Sequence, residues 1–456
     1  MKTTILASAS ALALLAAAPA LAAPGANTST VNQTGSAGGA AVTQTGTSAS
    51  SVVNQGGQRN QATVRQSGTG ASSTINQDNG TGSSDDDNVA TVTQAGDSDS
   101  FVTQVNDSAI ATVKQSGDRH LSIINQSGDF DVADVDQKGE GNTSGINQTG
   151  DVNTAIVGQT GEGNSSAITQ SSGLNRALVS QGSGGGNSST INQYGIGLNE
   201  ANVLQSGNAN QSTISQGGTL NDVGDGDNAL VRGVIQSGNN NTSNIIQAGG
   251  FQEAEVLQSG NRNGSTIDQG GALGNRHDAS VNQSGDENVS YVIQRGTRAD
   301  ATVLQGAGDR NDARIDQGRD WNGGFDTGTG EDQDATVEQV GSDNDGVVTQ
   351  RGEDQLALVE QIGDRNFASI NQGGDNGRDH VASVTQDGSD NDATVTQRGS
   401  AHVAIVIQSG NLNVATIDQS GSNHRASVSQ YSSGNTANVT QSGNGHTAVV
   451  VQGVTP

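Results

Sequence analysis

The stretch Gln159-Thr160-Gly161-Glu162-Gly163-Asn164-Ser165-Ser166-Ala167-Ile168-Thr169-Gln170 is the clearest copy of a motif that recurs along the chain. It runs from one glutamine to the next, with a glycine two residues after the first and a branched aliphatic residue two before the second. We place 36 such glutamines between Gln33 and Gln452, and 26 of the 35 intervals between them are eleven residues long. A period this strict is typical of solenoids and other repeat architectures.

Within each copy, positions that vary little alternate with positions that vary freely. Counted back from the glutamine at position 0, position −2 is Val or Ile in all 36 copies, and position −4 is Ala, Ser or Gly in 35 of 36. Position −6 is Asn in 19 copies, and position +2 is Gly in 28. Alternation at period two is typical of a strand with one packed face, and glycine is typical of a tight turn. Each eleven-residue unit is therefore predicted to be one strand followed by one turn.

Two units are predicted to form one coil of the fold. Position −4 alternates between Ser and Ala from Ser29 to Ala301, broken by Arg232, and after Ala301 it is Ala in every copy except Gly346. We therefore predict an all-β fold, a β-solenoid of about 18 two-stranded coils with two facing parallel sheets. Stacked coils would align inward side chains in ladders, where amide groups satisfy one another. The ladder residues that we single out are Gln33, Gln66, Gln159, Gln170, Gln258, Gln361, Gln408, Gln441, Gln452, Val64, Ile168, Val450, Asn60, Asn164 and Asn435.

The residues that precede the first repeat, and the points where the period breaks, suggest the domain organisation. Residues 1–22 have a short apolar run and the small-residue site Ala20-Leu21-Ala22, which together are typical of a secretory signal peptide. Residues 23–456 are predicted to form a single repeat domain, and no stretch is long and apolar enough to span a membrane. Breaks in the period predict Gly- and Asp-rich loops at about 78–88, 217–227, 270–277, 318–332 and 373–380. Arg232 is expected to turn outward at a bulge, and Trp321 and Phe325 to pack locally.

Composition and charge exclude several functions. With 30% hydrophobic and 2% aromatic residues, the chain could not form an ordinary globular core, so its order depends on the repeat. A net charge of −27 argues against nucleic acid as a partner, and the absence of cysteine excludes disulfides. The sequence contains no GxxxxGK[ST], GxSxG or HExxH motif. We therefore predict a protein that is not an enzyme and needs no cofactor.

The repeat resembles the curlin repeat of curli-type major amyloid subunits. Gln137-Lys138-Gly139-Glu140-Gly141-Asn142 and Gln441-Ser442-Gly443-Asn444-Gly445-His446 follow the family motif closely, and similar copies cover nearly all of residues 23–456. The serine of this chain lies four residues before the glutamine, whereas the family usually has it six before. The resemblance implies a secreted subunit that polymerises into cell-surface fibres of the biofilm matrix. It also implies a nucleator subunit and an outer-membrane export machinery as partners.

Two residue types are candidates for binding. All six histidines lie at position −6, and His380, His402, His424 and His446 are spaced 22 residues apart. Three roles are consistent with such a column: binding of Zn²⁺ or Cu²⁺, loosening when the rings are protonated near pH 6, or simple replacement of asparagine in its ladder. The Asp85–Asp87 run and the pair Asp225 and Asp227 are consistent with calcium binding or with solvation of the loops. Scattered Asp in an eleven-residue period favours solvation.

Two function classes are consistent with the sequence. The first is an extracellular structural protein that assembles end to end into amyloid fibres and contributes to adhesion and cell aggregation. The second is a binding protein, either a monomeric extracellular β-solenoid adhesin or a calcium-dependent binding module. The final unit, Ala448-Val449-Val450-Val451-Gln452, is strongly apolar and has no polar cap. This favours the first class, because an uncapped strand edge can pair with another chain.

Overall fold

The fold is all-β, as the sequence predicts. The computed structural model describes residues 2–7, 25–78, 87–223, 233–270, 276–318 and 332–453, and of 2–7, 196 and 374–376 the backbone alone. These residues form 38 strands and no helix, and hence no helix that could cross a membrane. They fall into two compact units, Met1–Thr219 and Leu220–Pro456. Each unit is a β-solenoid of two parallel sheets, with about 18 coils in total.

The first unit contains eighteen strands. In chain order they are β1 Lys2–Ala7, β2 Thr28–Gln33, β3 Gly39–Gln44, β4 Ser50–Gln55, β5 Gln61–Gln66, β6 Ser72–Asp78, β7 Val89–Ala95, β8 Asp99–Val105, β9 Ile110–Asp118, β10 Leu121–Gln126, β11 Val132–Glu140, β12 Thr143–Gln148, β13 Thr154–Glu162, β14 Ser165–Gln170, β15 Arg176–Gln181, β16 Ser188–Gly197, β17 Glu200–Asn208 and β18 Gln211–Thr219. Sheet I consists of β1 and the even-numbered strands, and sheet II of the other odd-numbered strands. β1, which lies in the predicted signal peptide, pairs in parallel with β2.

The second unit contains twenty strands. In chain order they are β19 Asp222–Val223, β20 Val234–Asn239, β21 Thr242–Gly250, β22 Gln252–Asn261, β23 Gly264–Gly270, β24 His277–Ser284, β25 Val289–Arg295, β26 Ala299–Gln305, β27 Asp312–Gly318, β28 Gln333–Val340, β29 Asp345–Arg351, β30 Gln355–Ile362, β31 Phe367–Arg378, β32 Val381–Asp387, β33 Asp392–Ser400, β34 Val403–Ser409, β35 Val414–Ser422, β36 Arg425–Gln430, β37 Thr436–Asn444 and β38 Thr447–Gln452. Here sheet I consists of the odd-numbered strands from β21 to β37, and sheet II of β19 and the even-numbered strands.

Identical positions of the repeat pair across neighbouring coils. In β11 and β13, for example, Val135 is opposite Val157 and Gln137 is opposite Gln159. Positions −4, −2 and 0 point between the two sheets, so that Val135 and Val157 are buried. The period of two therefore assigns the packed face correctly, and the period of 22 places like residues above one another.

The turn glycine at position +2 allows the coils to stack closely. Gly139 has φ +104°, and a Cβ placed on it would lie 2.1 Å from the carbonyl oxygen of Gly161 in the next coil. A Cβ on Gly161 would in turn lie 2.1 Å from the carbonyl oxygen of Gly184. Glycine is needed here both for its backbone conformation and because the next turn occupies the space of a side chain.

The interruptions of the period have a consistent place in the fold. Those at 79–86, 271–275 and 319–331 each follow a strand of sheet I and precede one of sheet II. The fourth, at 373–378, forms the end of β31 in sheet I, where the pairing with β33 changes register between Gly373 and Arg378, and it precedes β32 of sheet II. We call the turns from sheet I to sheet II the insertion edge, and those from sheet II to sheet I the charged edge. The remaining interruption, 224–232, separates β19 from β20 within sheet II.

Several sequence predictions concern residues near these interruptions. Next to the break between β19 and β20, Val223 is fully buried, in line with position −4 of β22. From the sequence alone, Arg232 is the residue counted at position −4 of this copy. Arg232, Trp321, Phe325, Asp85, Asp86, Asp225 and Asp227 lie outside the described residues.

Candidate functional site: the amide and imidazole ladders

A repeat glutamine that lies between two coils can use both N–H bonds of its side-chain amide. In Gln159, Nε2 donates to the carbonyl oxygen of Thr143 at 3.0 Å and to Oε1 of Gln181 at 2.8 Å. Thr143 begins a strand of sheet I, so the first bond crosses the core, while the second continues to the next coil. Because Oε1 of Gln159 accepts from Gln137, this buried amide has all its polar atoms paired.

The glutamine ladders run in one direction. In every described rung, the glutamine of the earlier coil donates to Oε1 of the later one. The predicted residues form the rungs Gln33–Gln55 at 2.6 Å, Gln66–Gln94 at 2.8 Å, Gln170–Gln193 at 2.8 Å, Gln258–Gln283 at 2.8 Å, Gln361–Gln386 at 2.9 Å and Gln408–Gln430 at 3.0 Å. Gln441 and Gln452 accept at the last rungs, from Gln419 at 2.9 Å and from Gln430 at 2.8 Å.

The aliphatic residues at position −2 fill the space between the ladders. Val64 and Ile168 are fully buried between the two sheets. Val450, in the last strand, is half-buried, because among the described strands β38 pairs only with β36 of the preceding coil. Stacking of a further coil would complete its burial.

Asparagine at position −6 forms a second ladder. Oδ1 of Asn164 accepts the backbone N–H of Asn187 in the next coil at 3.0 Å, and Nδ2 donates to the carbonyl of Thr160 at 3.0 Å. The side chain thus joins two coils and satisfies a carbonyl of its own turn. Asn60 and Asn435 follow the same pattern, through Gly56 at 2.6 Å and Asn88 at 3.0 Å for Asn60, and through Ser432 at 2.6 Å for Asn435.

Histidine takes the place of asparagine in this ladder. Nδ1 of His402 accepts the backbone N–H of His424 at 3.2 Å, and Nε2 lies 3.0 Å from the carbonyl oxygen of Arg398. These partners assign the proton of the neutral ring to Nε2. Nδ1 and Nε2 of histidine therefore stand for Oδ1 and Nδ2 of asparagine. His120 has the same pair of contacts, with Asn142 and Ser116 at 3.2 Å each.

The four C-terminal histidines form a stacked column. The ring centroids of His380, His402, His424 and His446 are separated by 5.1, 5.0 and 5.1 Å, with the planes within 8° of parallel. Burial lowers the pKa of His402, and burial together with the neighbouring ring lowers that of His380 to about 4. His380 and His402 are therefore uncharged at neutral pH.

The geometry of this column bears on metal binding. In His402 and His424, Nδ1 accepts a backbone N–H and Nε2 carries the proton, so neither ring directs a lone pair at a cation. In the part of the chain that the structure describes, no three His, Asp or Glu residues cluster as a metal site would require. Asp87, from the acidic run, pairs with Arg59 at 2.6 Å.

His277 departs furthest from the pattern. His277 lies in register between Gln252 and Ala299, it is buried, and neither of its ring nitrogens has a hydrogen-bond partner. Burial, and then the charge of Arg295, lowers its pKa to about 4. Elsewhere in the ladder an alanine of the next coil does supply this bond, since the backbone N–H of Ala109 donates to Oδ1 of Asn88 at 2.9 Å, whereas Nδ1 of His277 receives none from Ala299.

In most of the described copies the residue at position −7 has a left-handed backbone conformation, whether or not it is glycine. Its φ is +61° in Arg119, +58° in Phe130 and +66° in Gly141. In the second unit, six successive strands of sheet I are preceded at this position by residues of alternating charge, Arg262, Glu287, Arg310, Asp343, Arg365 and Asp390. They form exposed ion pairs across coils, Arg262–Glu287 at 2.6 Å, Arg310–Asp343 at 2.7 Å and Arg365–Asp390 at 2.7 Å.

Sequence reasoning missed three of these features. The second glutamine bond and the left-handed position depend on the distance between coils, which no local pattern contains. The charge alternation could have been found, because tabulating position −7 for every second copy shows it directly.

Comparison with known protein families identifies a repeat in the same part of the chain as the ladders. The model of the curlin associated repeat matches residues 132–161, 253–285, 341–374, 376–399 and 404–431. The matched segments occur in both units and contain ladder glutamines, asparagines and histidines. No protein in a search of curated proteins matches the chain. Proteins with this repeat are structural rather than enzymatic. The chain thus contains segments that match the curlin associated repeat, and these segments carry the ladders described above.

Proposed function

We propose that the chain is a secreted subunit that polymerises end to end into curli-like amyloid fibres of an extracellular biofilm matrix, where the fibres support adhesion and cell aggregation. Residues 1–22 would be removed as a signal peptide. A nucleator subunit and an outer-membrane export machinery would be its partners. The curlin repeat supports the structural role, and the direction of the glutamine ladders supports the end-to-end mode.

The observation that carries the proposal is the complementarity of the ladder ends. Gln33 and Gln44 begin the ladders as donors to the following coil, which leaves Oε1 as their acceptor for a preceding one. Gln441 and Gln452 end the ladders, and each already donates one N–H across the core, at 3.0 and 2.9 Å. The second N–H of each would fit Oε1 of Gln33 and Gln44 in another molecule.

The backbone at the last strand is complementary in the same way. The carbonyls of His446 and Gln452 accept N–H groups from the preceding coil. Because successive residues of a strand point to opposite sides, Val449 and Val451 direct their N–H and C=O groups away from it. Among the described residues, β38 pairs with β36 alone. A second molecule can therefore continue the sheet.

The decisive test removes one edge donor. Val449 is exposed and its N–H makes no bond to β36, so Val449→Pro leaves the molecule's own ladder intact. Val449→Thr keeps the N–H and is the matched control. We expect purified Val449→Thr protein to form fibres with a ~4.7 Å cross-β reflection, and Val449→Pro protein to remain monomeric and to stop growth of the unmodified chain when added in small amounts.

Two results would contradict the proposal. Equal fibre growth by both variants would mean that this edge is not the joint. An unmodified chain that stays monomeric for days, with or without calcium, would favour the monomeric adhesin or, where calcium changes its binding, the calcium-dependent module.

A further inference from the structure

Four large apolar residues occupy an unfavourable backbone position on the insertion edge of the first unit. Phe130, Val152, Leu174 and Leu198 lie at position −7 before four successive strands of sheet II, with φ between +58° and +62°. Residues other than glycine and asparagine are disfavoured there, because Cβ comes close to the following carbonyl oxygen, and a β-branched residue such as Val152 is disfavoured most.

About half of each of these side chains remains exposed, so burial within the molecule offsets only part of this cost. Phe130, Val152, Leu174 and Leu198 are 60, 46, 54 and 49% exposed. The charged edge of the same coils uses Gly141, Gly163 and Gly186 at position −7, so a turn alone does not need a large residue. An exposed apolar strip of this kind is typical of a surface that contacts another molecule.

The strip is continuous and becomes uncharged along its length. The backbone N–H of Val152 bonds to Asp129 at 2.8 Å, and that of Leu174 to Asp151 at 2.9 Å, so the turns lie directly above one another. The turns 171–175 and 194–199, around Leu174 and Leu198, contain no charged residue. In a chain of net charge −27, repulsion between two copies is weakest at such a place.

The area of the strip indicates which occupant fits it. Half of four such side chains amounts to roughly 300–400 Å², well below the ~800 Å² per partner of a stable complex. Two free molecules would not remain together through this contact. In a fibre the strip recurs in every subunit at the same spacing, so two fibres would contact each other many times, and weak contacts would add.

We propose that this strip, Phe130, Val152, Leu174 and Leu198, is the surface through which neighbouring fibres of this same chain bind side by side. The inference rests on the proposed fibre-forming function and adds to it a lateral contact that is separate from the end-to-end joint. The occupant is the same strip of a second copy.

The test replaces the strip with a residue that the turn accepts. Asn240 and Asn423 hold position −7 elsewhere with φ +57° and +58°, so the combined variant Val152→Asn, Leu174→Asn, Leu198→Asn is expected to fold. Leu412→Asn is the control, because Leu412 has φ +61° and is 64% exposed but lies alone on the charged edge. Fibres of each protein are compared by electron microscopy, low-speed sedimentation and elongation rate.

We expect the combined variant to form single filaments, with at least a five-fold lower bundled fraction and an elongation rate within two-fold of the unmodified chain. Leu412→Asn should bundle like the unmodified chain, and the non-polymerising Val449→Pro protein should sediment as a monomer. Bundling that is unchanged in the combined variant, or equally reduced by Leu412→Asn, would overturn the inference, as would dimers of Val449→Pro protein.

Two further outcomes separate the inference from its alternatives. Loss of binding to phosphatidylcholine vesicles with bundling unchanged would assign the strip to a lipid surface and overturn the inference. Absence of fibres from the unmodified chain would defeat the proposed function and the inference together, whereas fibres that bundle regardless of the strip would defeat the inference alone.

Discussion

Glutamine at position 0 shows what a single residue contributes to this fold. Its amide has two N–H bonds and one acceptor, and the coil supplies a partner for each: a carbonyl of the opposite sheet, the next glutamine and the previous one. A glutamate has the same length but no donor when ionised, and an apolar residue would leave the carbonyl of Thr143 without its partner. The identity of the residue thus follows from the bonds around it.

This predicts a large difference between two neighbouring amides of one strand. Gln148 is buried and donates to Val132 and Gln170 at 3.0 and 2.9 Å, while Asn147 is exposed. Gln148→Glu should lower the free energy of unfolding by about 3 kcal/mol, since it buries a charge and removes both N–H donors of this rung, and Asn147→Asp by less than about 0.5 kcal/mol. Chemical denaturation followed by circular dichroism measures both. Equal effects would show that the ladder amide is dispensable.

The histidine column makes stability depend on pH. In the folded state the pKa of His402 is lowered and that of His380 is about 4, so the unfolded chain binds more protons between about pH 6.5 and pH 4. The contribution of these rings is complete above pH 6.5 and is lost as the pH falls toward 4, by about 1.4 kcal/mol for each unit of pKa lowering.

The matched variant replaces His380, His402, His424 and His446 by Asn, which holds the same position in the other sheet. Its melting temperature should fall less between pH 6.5 and pH 4.5 than that of the unmodified chain. Identical pH profiles would contradict a role for the column.

At the scale of the strand and turn, some features can be predicted from the sequence and others cannot. Alternation of fixed and variable residues identifies the strands and their packed face, as Val135 and Gln137 illustrate, because these depend on the two-residue period alone. The spacing of His380 to His446 likewise predicts a column. The glycine contact at Gly139 and the orphaned ring of His277 depend on what the next coil places there, and a single unit does not contain that information.

The turn glycines should therefore differ in their tolerance of alanine. Gly139 has φ +104° and no space for a Cβ; Gly141 has φ +66° with space; Gly145 in the strand has space as well. We expect Gly139→Ala to cost more than about 3 kcal/mol, Gly141→Ala about 1 kcal/mol, and Gly145→Ala to be neutral or stabilising. Thermal unfolding of the three variants ranks them. A Gly139→Ala protein as stable as Gly141→Ala would refute the close approach of the coils.

For the molecule as a whole, the dominant quantity is its net charge of −27. Stacking brings like charges together, as where Asp278, Asp300 and Asp334 are aligned in successive coils. Burial, and then the neighbouring carboxylates, raises the pKa of Asp300, and burial raises that of Asp334. Joining two molecules end to end also brings their carboxylates closer together, and their repulsion opposes assembly.

Assembly should therefore accelerate several-fold when salt is raised from about 10 mM to about 150 mM, which shortens the screening length from about 30 Å to about 8 Å. Fibre growth measured by dye fluorescence tests this, with sucrose at equal osmolality as the control. Growth that slows with salt would indicate that opposite charges, rather than like charges, meet at the joint. Mild acid should act in the same direction through the carboxylates, and the histidine-to-asparagine variant separates this effect from that of the rings.

The alternation of the two sheets along the chain has a consequence for how such a gene can lengthen or shorten. Loss of twenty-two residues, one full coil, leaves every later strand in its own sheet and the interruptions at 271–275 and 319–331 on the insertion edge. Loss of eleven would move every later strand to the opposite sheet, so that the interruptions at 271–275 and 319–331 would change edges and the charges from Arg262 to Asp390 would exchange places with them. Duplications and deletions in this chain should accordingly be tolerated in pairs of units, and its length should change by whole coils.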